Sequence, residues 1–177
     1  MRWPIDTQLT VMMAGAMRAR SRAAAWAASA LAAMLLPAAP ALATPSTFAP
    51  IIGSAILCRS HLDNAYFYSY MVAAFGPSYK HEGGAYWFKA DATLWGASVI
   101  DVIISDDTSE LVFVGATTEA TPEELDESIN GALGFRHIAF GASKFPVREA
   151  NAGSRIVYFN NKSKIYCAKY KPLPTGR

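Results

Sequence analysis

Two cysteines, Cys58 and Cys167, stand 109 positions apart in a chain of 177 residues, and the chain has no others. If they join, the end of the chain is held against its beginning, and any fold that keeps those two segments apart is closed to it. Thiols this distant, without a Cys-x-x-Cys pair or clustered histidines, make a poor metal site. A nucleophilic cysteine needs a base beside it, and His61, one helical turn beyond Cys58, is too slight a signal for that. A disulfide is therefore expected, provided the chain reaches an oxidising compartment. It would close a loop of roughly 110 residues, worth about 4–5 kcal/mol on the chain-entropy model.

The amino terminus carries that address. Arg18, Arg20 and Arg22 precede an alanine-rich apolar run from Ala23, broken by Pro37 and Pro40 and ending Ala41-Leu42-Ala43. A basic head, an apolar stretch and an Ala-x-Ala end are the pattern of a cleavable secretory signal. Residues 1–43 read as a signal peptide and 44–177 as a single α+β domain, periplasmic or secreted. Only 14 residues separate Ala23 from Pro37, whereas a spanning helix wants about 20, so no stable membrane span is expected after cleavage. Translation from Met17 would give a signal of 27 residues; Met12 and Met13 are other internal starts. A lipoprotein signal ends directly before its cysteine, and Cys58 follows Leu57 well past the cut.

Cleavage changes the charge. Lys+Arg falls from 16 to 12 and Asp+Glu from 14 to 13, so the net moves from +2 to −1. The basic precursor is thus no argument for nucleic acid, and none is expected as a partner. The charge is also split: residues 44–135 carry a net −9 and residues 136–177 a net +8. Such asymmetry either marks a binding surface or disappears when the two halves fold together.

The pattern of apolar residues predicts α+β architecture, an antiparallel sheet of about five strands packed with two helices and tied by one disulfide. Thr44 to Pro50 reads as an extended leader. Ser54 to Phe75 reads as one helix ended by Gly76-Pro77, with aromatics at 66–68 and 70 all round it. Pro77 to Gly84 reads as a polar loop whose Gly83-Gly84 offers positive φ. Strands are predicted at Ala85–Ala90, in the apolar stretch Leu94–Ile104 by its second half at least, and at Leu111–Thr117. A turn at Asp107-Thr108 would set Ile104 opposite Leu111 and Val102 opposite Phe113. Thr121-Pro122-Glu123-Glu124 is a capping box, and Leu125, Ile129 and Leu133 make one helical stripe before Gly134. A strand near Arg136–Phe140 and a hairpin of Arg155–Phe159 with Ser163–Tyr170 follow. A turn at Asn161-Lys162 would put Cys167 on the apolar face of that hairpin.

Chemistry is hard to find. The mature chain has His61, His81 and His137, none within four residues of another, so no helical metal pair exists. Adjacent Ser60 and His61 point about 100° apart on a helix and cannot act as nucleophile and base. Asp106-Asp107 suits a turn better than calcium, which wants six or more oxygens. No Gly-x-Ser-x-Gly and no phosphate loop is present. No catalytic residue, metal ligand or cofactor is assigned.

Two surfaces remain as candidates for binding: the loop with Tyr79, His81 and Glu82, and the basic C-terminal hairpin with Lys162, Lys164, Tyr166 and Lys169. The lysines there fall on alternating faces, and lysines also protect exposed edge strands. The expectation is an exported cell-envelope protein acting as a non-enzymatic binding module, for a protein partner, of the inhibitor or immunity type. The alternative is a small periplasmic hydrolase whose site assembles from distant residues such as His81, Asp101 and His137. The oligomeric state is not written in the sequence.

Overall fold

The computed structural model describes residues 44–171; residues 1–43, read above as a signal peptide, and the final residues 172–177 lie outside the described residues. Helical turns come first. A π-helical turn, Ala49–Gly53, runs into α1 (Ser54–Ile56), and α2 follows at Asn64–Phe75. Then come β1 (Lys80–Glu82), β2 (Ala85–Leu94), β3 (Ala97–Ser105) and β4 (Leu111–Thr118). After α3 (Pro122–Leu133) the chain forms β5 (Ile138–Phe140), β6 (Val147–Glu149), β7 (Arg155–Phe159) and β8 (Lys162–Tyr170).

All eight strands form one sheet in the order β1-β2-β3-β4-β8-β7-β6-β5, and every neighbouring pair is antiparallel. The sheet is therefore two four-stranded meanders joined at β4 and β8, with α3 carrying the chain from the centre to the far edge. The fold is α+β as expected, but with eight strands rather than about five and three α-helices rather than two.

The helices pack on one face. The first turns lie against β2, β4 and β8, α2 against β2, β3 and β4, and α3 against β7 and β8. Residues opposite each other on antiparallel strands point to the same side. The row Phe88, Val102, Ala116, Ile165, Ile156 faces the helices and is buried. Against it pack Phe48, Ile52, Ile56, Phe67, Met71, Leu125 and Ile129, in one apolar cluster.

The long first helix of the sequence reading is broken. Cys58 adopts φ 58°, its N–H bonds the carbonyl of Ala55, and the Arg59 N–H bonds that of Ser54. This is a Schellman ending, in which the left-handed residue is usually glycine. Asp63 then restarts the chain as the cap of α2, its carboxylate accepting the Tyr66 N–H at 3.0 Å. The break sets Cys58 beside β8, where it is bonded to Cys167 with Cα atoms 5.2 Å apart. The expected disulfide is present. The predicted extended leader is also corrected: Phe48 is buried at the start of the helical turns, and Pro50 sits in the first turn of that helix.

Three registers differ from expectation. The second half of the run Leu94–Ile104 is strand as expected, but its start is not: Leu94 ends β2, and a tight turn at Trp95 (φ 52°) and Gly96 (φ 88°) leads into β3, the two-residue connection that matches strand twist. Ile104 pairs with Val114 rather than Leu111, and Val102 with Ala116 rather than Phe113. The turn is thus centred later than expected, at Ser109, and Asp106 opens it, its Oδ1 accepting the Thr108 N–H at 3.0 Å. In the last hairpin the turn is Asn160-Asn161, both with positive φ, so Ile156 pairs with Ile165. That slip is even, and Cys167 keeps its predicted face.

The capping box is as read: Glu124 N–H donates to Thr121 Oγ1, Thr121 N–H to the Glu124 carboxylate, and Gly134 ends α3 with φ 73°. β1 and β6 lie in stretches read as polar loop. β8 is central, not an edge, so its lysines do not guard one. The edges are β1 and β5.

Candidate functional site

The face of the sheet away from the helices has an unusual surface. One row of opposed residues crosses all eight strands: Lys80, Trp87, Ile103, Gly115, Tyr166, Arg155, Glu149, Ile138. Phe113, Val157, Phe159, Val147 and Phe140 share its side. An antiparallel sheet with one solvated face ordinarily carries polar residues there. Here Ile138 is 62% exposed and Phe140 59%, with Val147 and Phe159 exposed beside them.

Toward β1 this face dips into a cleft of about 380 Å³, with Lys80, Glu82, Trp87, Phe113, Lys164 and Tyr166 among its walls. Gly115 is its floor. A Cβ at Gly115 would meet the Ile165 carbonyl oxygen and Tyr166 Cβ, each at 3.0 Å, so the absence of a side chain lets β8 approach and keeps the floor open. Lys164 Nζ lies 4.3 Å from the centre of the Phe159 ring and 5.2 Å from that of Trp87, within cation–π range. Burial between these rings pushes its pKa down.

The other cations of the face have acids of their own. Lys80 meets Glu82 at 2.5 Å, Lys89 meets Asp101 at 2.8 Å, and Arg155 meets Glu149 at 2.8 Å. Asp101 also accepts the Tyr79 and Thr117 hydroxyls, each at 3.1 Å. Burial, with the hydrogen bond and charge of Asp101, raises the Tyr79 pKa and keeps it a phenol.

The structure thus gathers residues from both predicted surfaces. Glu82, Lys164 and Tyr166 line one cleft, and Tyr79 sits on the same face beside Lys89. Lys162 turns to Glu119 at 2.7 Å. Lys169 is exposed near the end of β8, opposite Val112, on the parity of the helix-facing residues. His81 points the other way. Its Nε2 lies 2.6 Å from Asp106 in a separate polar cleft of about 550 Å³ with Asn64, Tyr68, Ser69 and Ser105. Hydrogen bonds from the Thr108 hydroxyl, then His81, then the Thr108 N–H hold the Asp106 carboxyl down at about 2. Sequence reasoning missed Trp87, Ile103 and Phe113. Their alternation was visible, but the misplaced turn put Phe113 on the wrong side of β4.

His81, Asp101 and His137 do not converge. His81 bonds Asp106, Asp101 bonds Lys89, and His137 is buried beneath α3. His137 Nε2 meets Ser154 Oγ at 2.8 Å, and its Nδ1 lies 3.4 Å from Asp126. The order resembles nucleophile, base and acid. Yet Ser154 is fully buried, and the Asp126 oxygen accepts the His137 backbone N–H at 2.6 Å instead. This is a polar core contact without room for a substrate. No group of three or more metal-binding side chains occurs among the described residues, and no helix there is long and apolar enough to cross a membrane.

Comparison with protein-family models, with curated proteins and with solved structures finds no match for this chain.

Proposed function

We propose that this chain is exported, loses residues 1–43, and serves as a non-enzymatic binding protein of the cell envelope that docks a protein partner on the open face of its sheet. The observation that carries this reading is the band of aromatic and aliphatic side chains reaching from Trp87 on β2 to Ile138 and Phe140 on β5. Exposed apolar patches of such extent mark interaction surfaces. A band crossing seven strands is wider than a small molecule and suits a protein surface. The disulfide fits an oxidising compartment.

The test is capture from envelope extract on the immobilised native protein. Wild type, and Tyr66→Asp on the exposed side of α2, should retain the same partner. Trp87→Asp and Phe140→Asp should lose it. Undiminished retention by the two face variants, or no partner at any salt, overturns the reading. Intact-mass measurement of the native product tests removal of 1–43 separately.

A further inference from the structure

We propose that the partner presents a carboxylate, from an aspartate, a glutamate or a chain terminus set among apolar side chains, and that Lys164 in the groove receives it. This rests on the open face being the docking surface and names the chemistry of its occupant.

The argument is one of charge complementarity. Folding neutralises much of the charge split of the sequence through individual ion pairs. Arg148 meets Glu123 and Lys162 meets Glu119, each at 2.7 Å, while Lys171 reaches Asp107 and Arg136 reaches Asp126. On the open face Lys80, Lys89 and Arg155 each hold an acid. Lys164 has no carboxylate within ion-pair distance among the described residues, although it stands at the middle of that face and is half-buried. Asp101, taken up by Lys89, Tyr79 and Thr117, reaches it only from farther away. A cation withdrawn from water and left without a counter-ion is costly unless a ligand supplies one.

The surroundings specify the rest. The walls are apolar: Trp87, Ile103, Phe113, Tyr166 and Ala168. With Lys80 neutralised by Glu82, the cleft offers one net positive charge, which suits a monoanion on an apolar body better than a dianion. The indole Nε1 of Trp87 is out of solvent and has no acceptor among the described residues, so the site is short of acceptors as well as of negative charge.

The experiment is an NMR titration of the native protein with N-acetyl-leucine and with N-acetyl-leucinamide, which differ only in the carboxylate. The acid should shift the Trp87 indole and Tyr166 signals and bind about tenfold more tightly than the amide, the scale of one charge-assisted contact. Lys164→Met should abolish that preference, and Lys164→Arg should preserve it; the spectrum of each variant reports its folding. Equal binding of acid and amide overturns the proposal, as does a preference that survives in Lys164→Met, or silence of both probes at the groove. Octanoate separates the source: binding tenfold tighter than N-acetyl-leucine points to a lipid acid and overturns a protein partner's carboxylate. Capture with Phe140→Asp, distant from Lys164 in the sheet, judges the docking face independently of these outcomes.

Discussion

At the scale of single residues, two titrating groups make the fold sensitive to acid in separate steps. Burial lowers the His137 pKa below its ordinary 6.5. The unfolded chain then binds the proton more readily, so stability is complete above about 6.5 and declines as pH falls from there. Asp106 is lowered from 3.8 to about 2. Its contribution is present above about 4 and is lost as pH falls toward 2. Urea midpoints measured across pH should therefore show two declines, with His137→Gln removing the upper and Asp106→Asn the lower. An unchanged profile in either variant contradicts the assignment. Gly115 gives a third expectation. Gly115→Ala forces β8 away from β4 at the middle of the sheet, and overpacking of this kind costs about 1–3 kcal/mol. Denaturant unfolding measures it, and shifted Tyr166 signals should accompany the loss.

At the scale of elements, α3 depends on its ends. Thr121→Ala removes the side-chain half of the capping box and should lower stability by about 1 kcal/mol, with Thr121→Ser recovering most of it. Urea unfolding distinguishes the two. The ends of this helix were legible because their signals, Thr121, Pro122, Glu124 and Gly134, are local and of the usual residue types, although Leu133, read as part of its apolar stripe, is exposed. Other elements were hidden where an unusual residue fills a usual slot. Cys58 holds the left-handed position that glycine ordinarily marks, so the break before α2 left no trace in the pattern. Trp95 does the same in the β2–β3 turn. The β1 and β6 strands are three residues each, too short for alternation to register, and they exist through pairing with neighbours. The groove was half legible. Glu82, Lys164 and Tyr166 stood out as polar and aromatic residues in suspect segments. Trp87 and Phe113 looked like core, because a sequence shows that a residue is apolar but not which side of the sheet it covers.

At the scale of the molecule, the bridge between Cys58 and Cys167 fastens the first helical turns to the centre of the sheet. Reduction, or replacement of both cysteines by serine, should cost about 2–5 kcal/mol, measured as a lower urea midpoint with a steeper slope, because the unfolded chain freed of the bridge exposes more surface. The two sheet edges differ as well. β1 carries Lys80, His81 and Glu82, which discourage strand addition, whereas β5 leaves Ile138 and Phe140 exposed. Phe140→Lys should raise the concentration at which the protein scatters light. The joining of β4 to β8 has a consequence in time. β4 is finished before α3 and four further strands, and its partner β8 is the last strand among the described residues. Until β8 is made, the first meander has an open flank where the middle of the sheet will later be. A chain made amino end first must therefore keep that flank from other chains for as long as the rest is being made, and it closes only when β8 arrives.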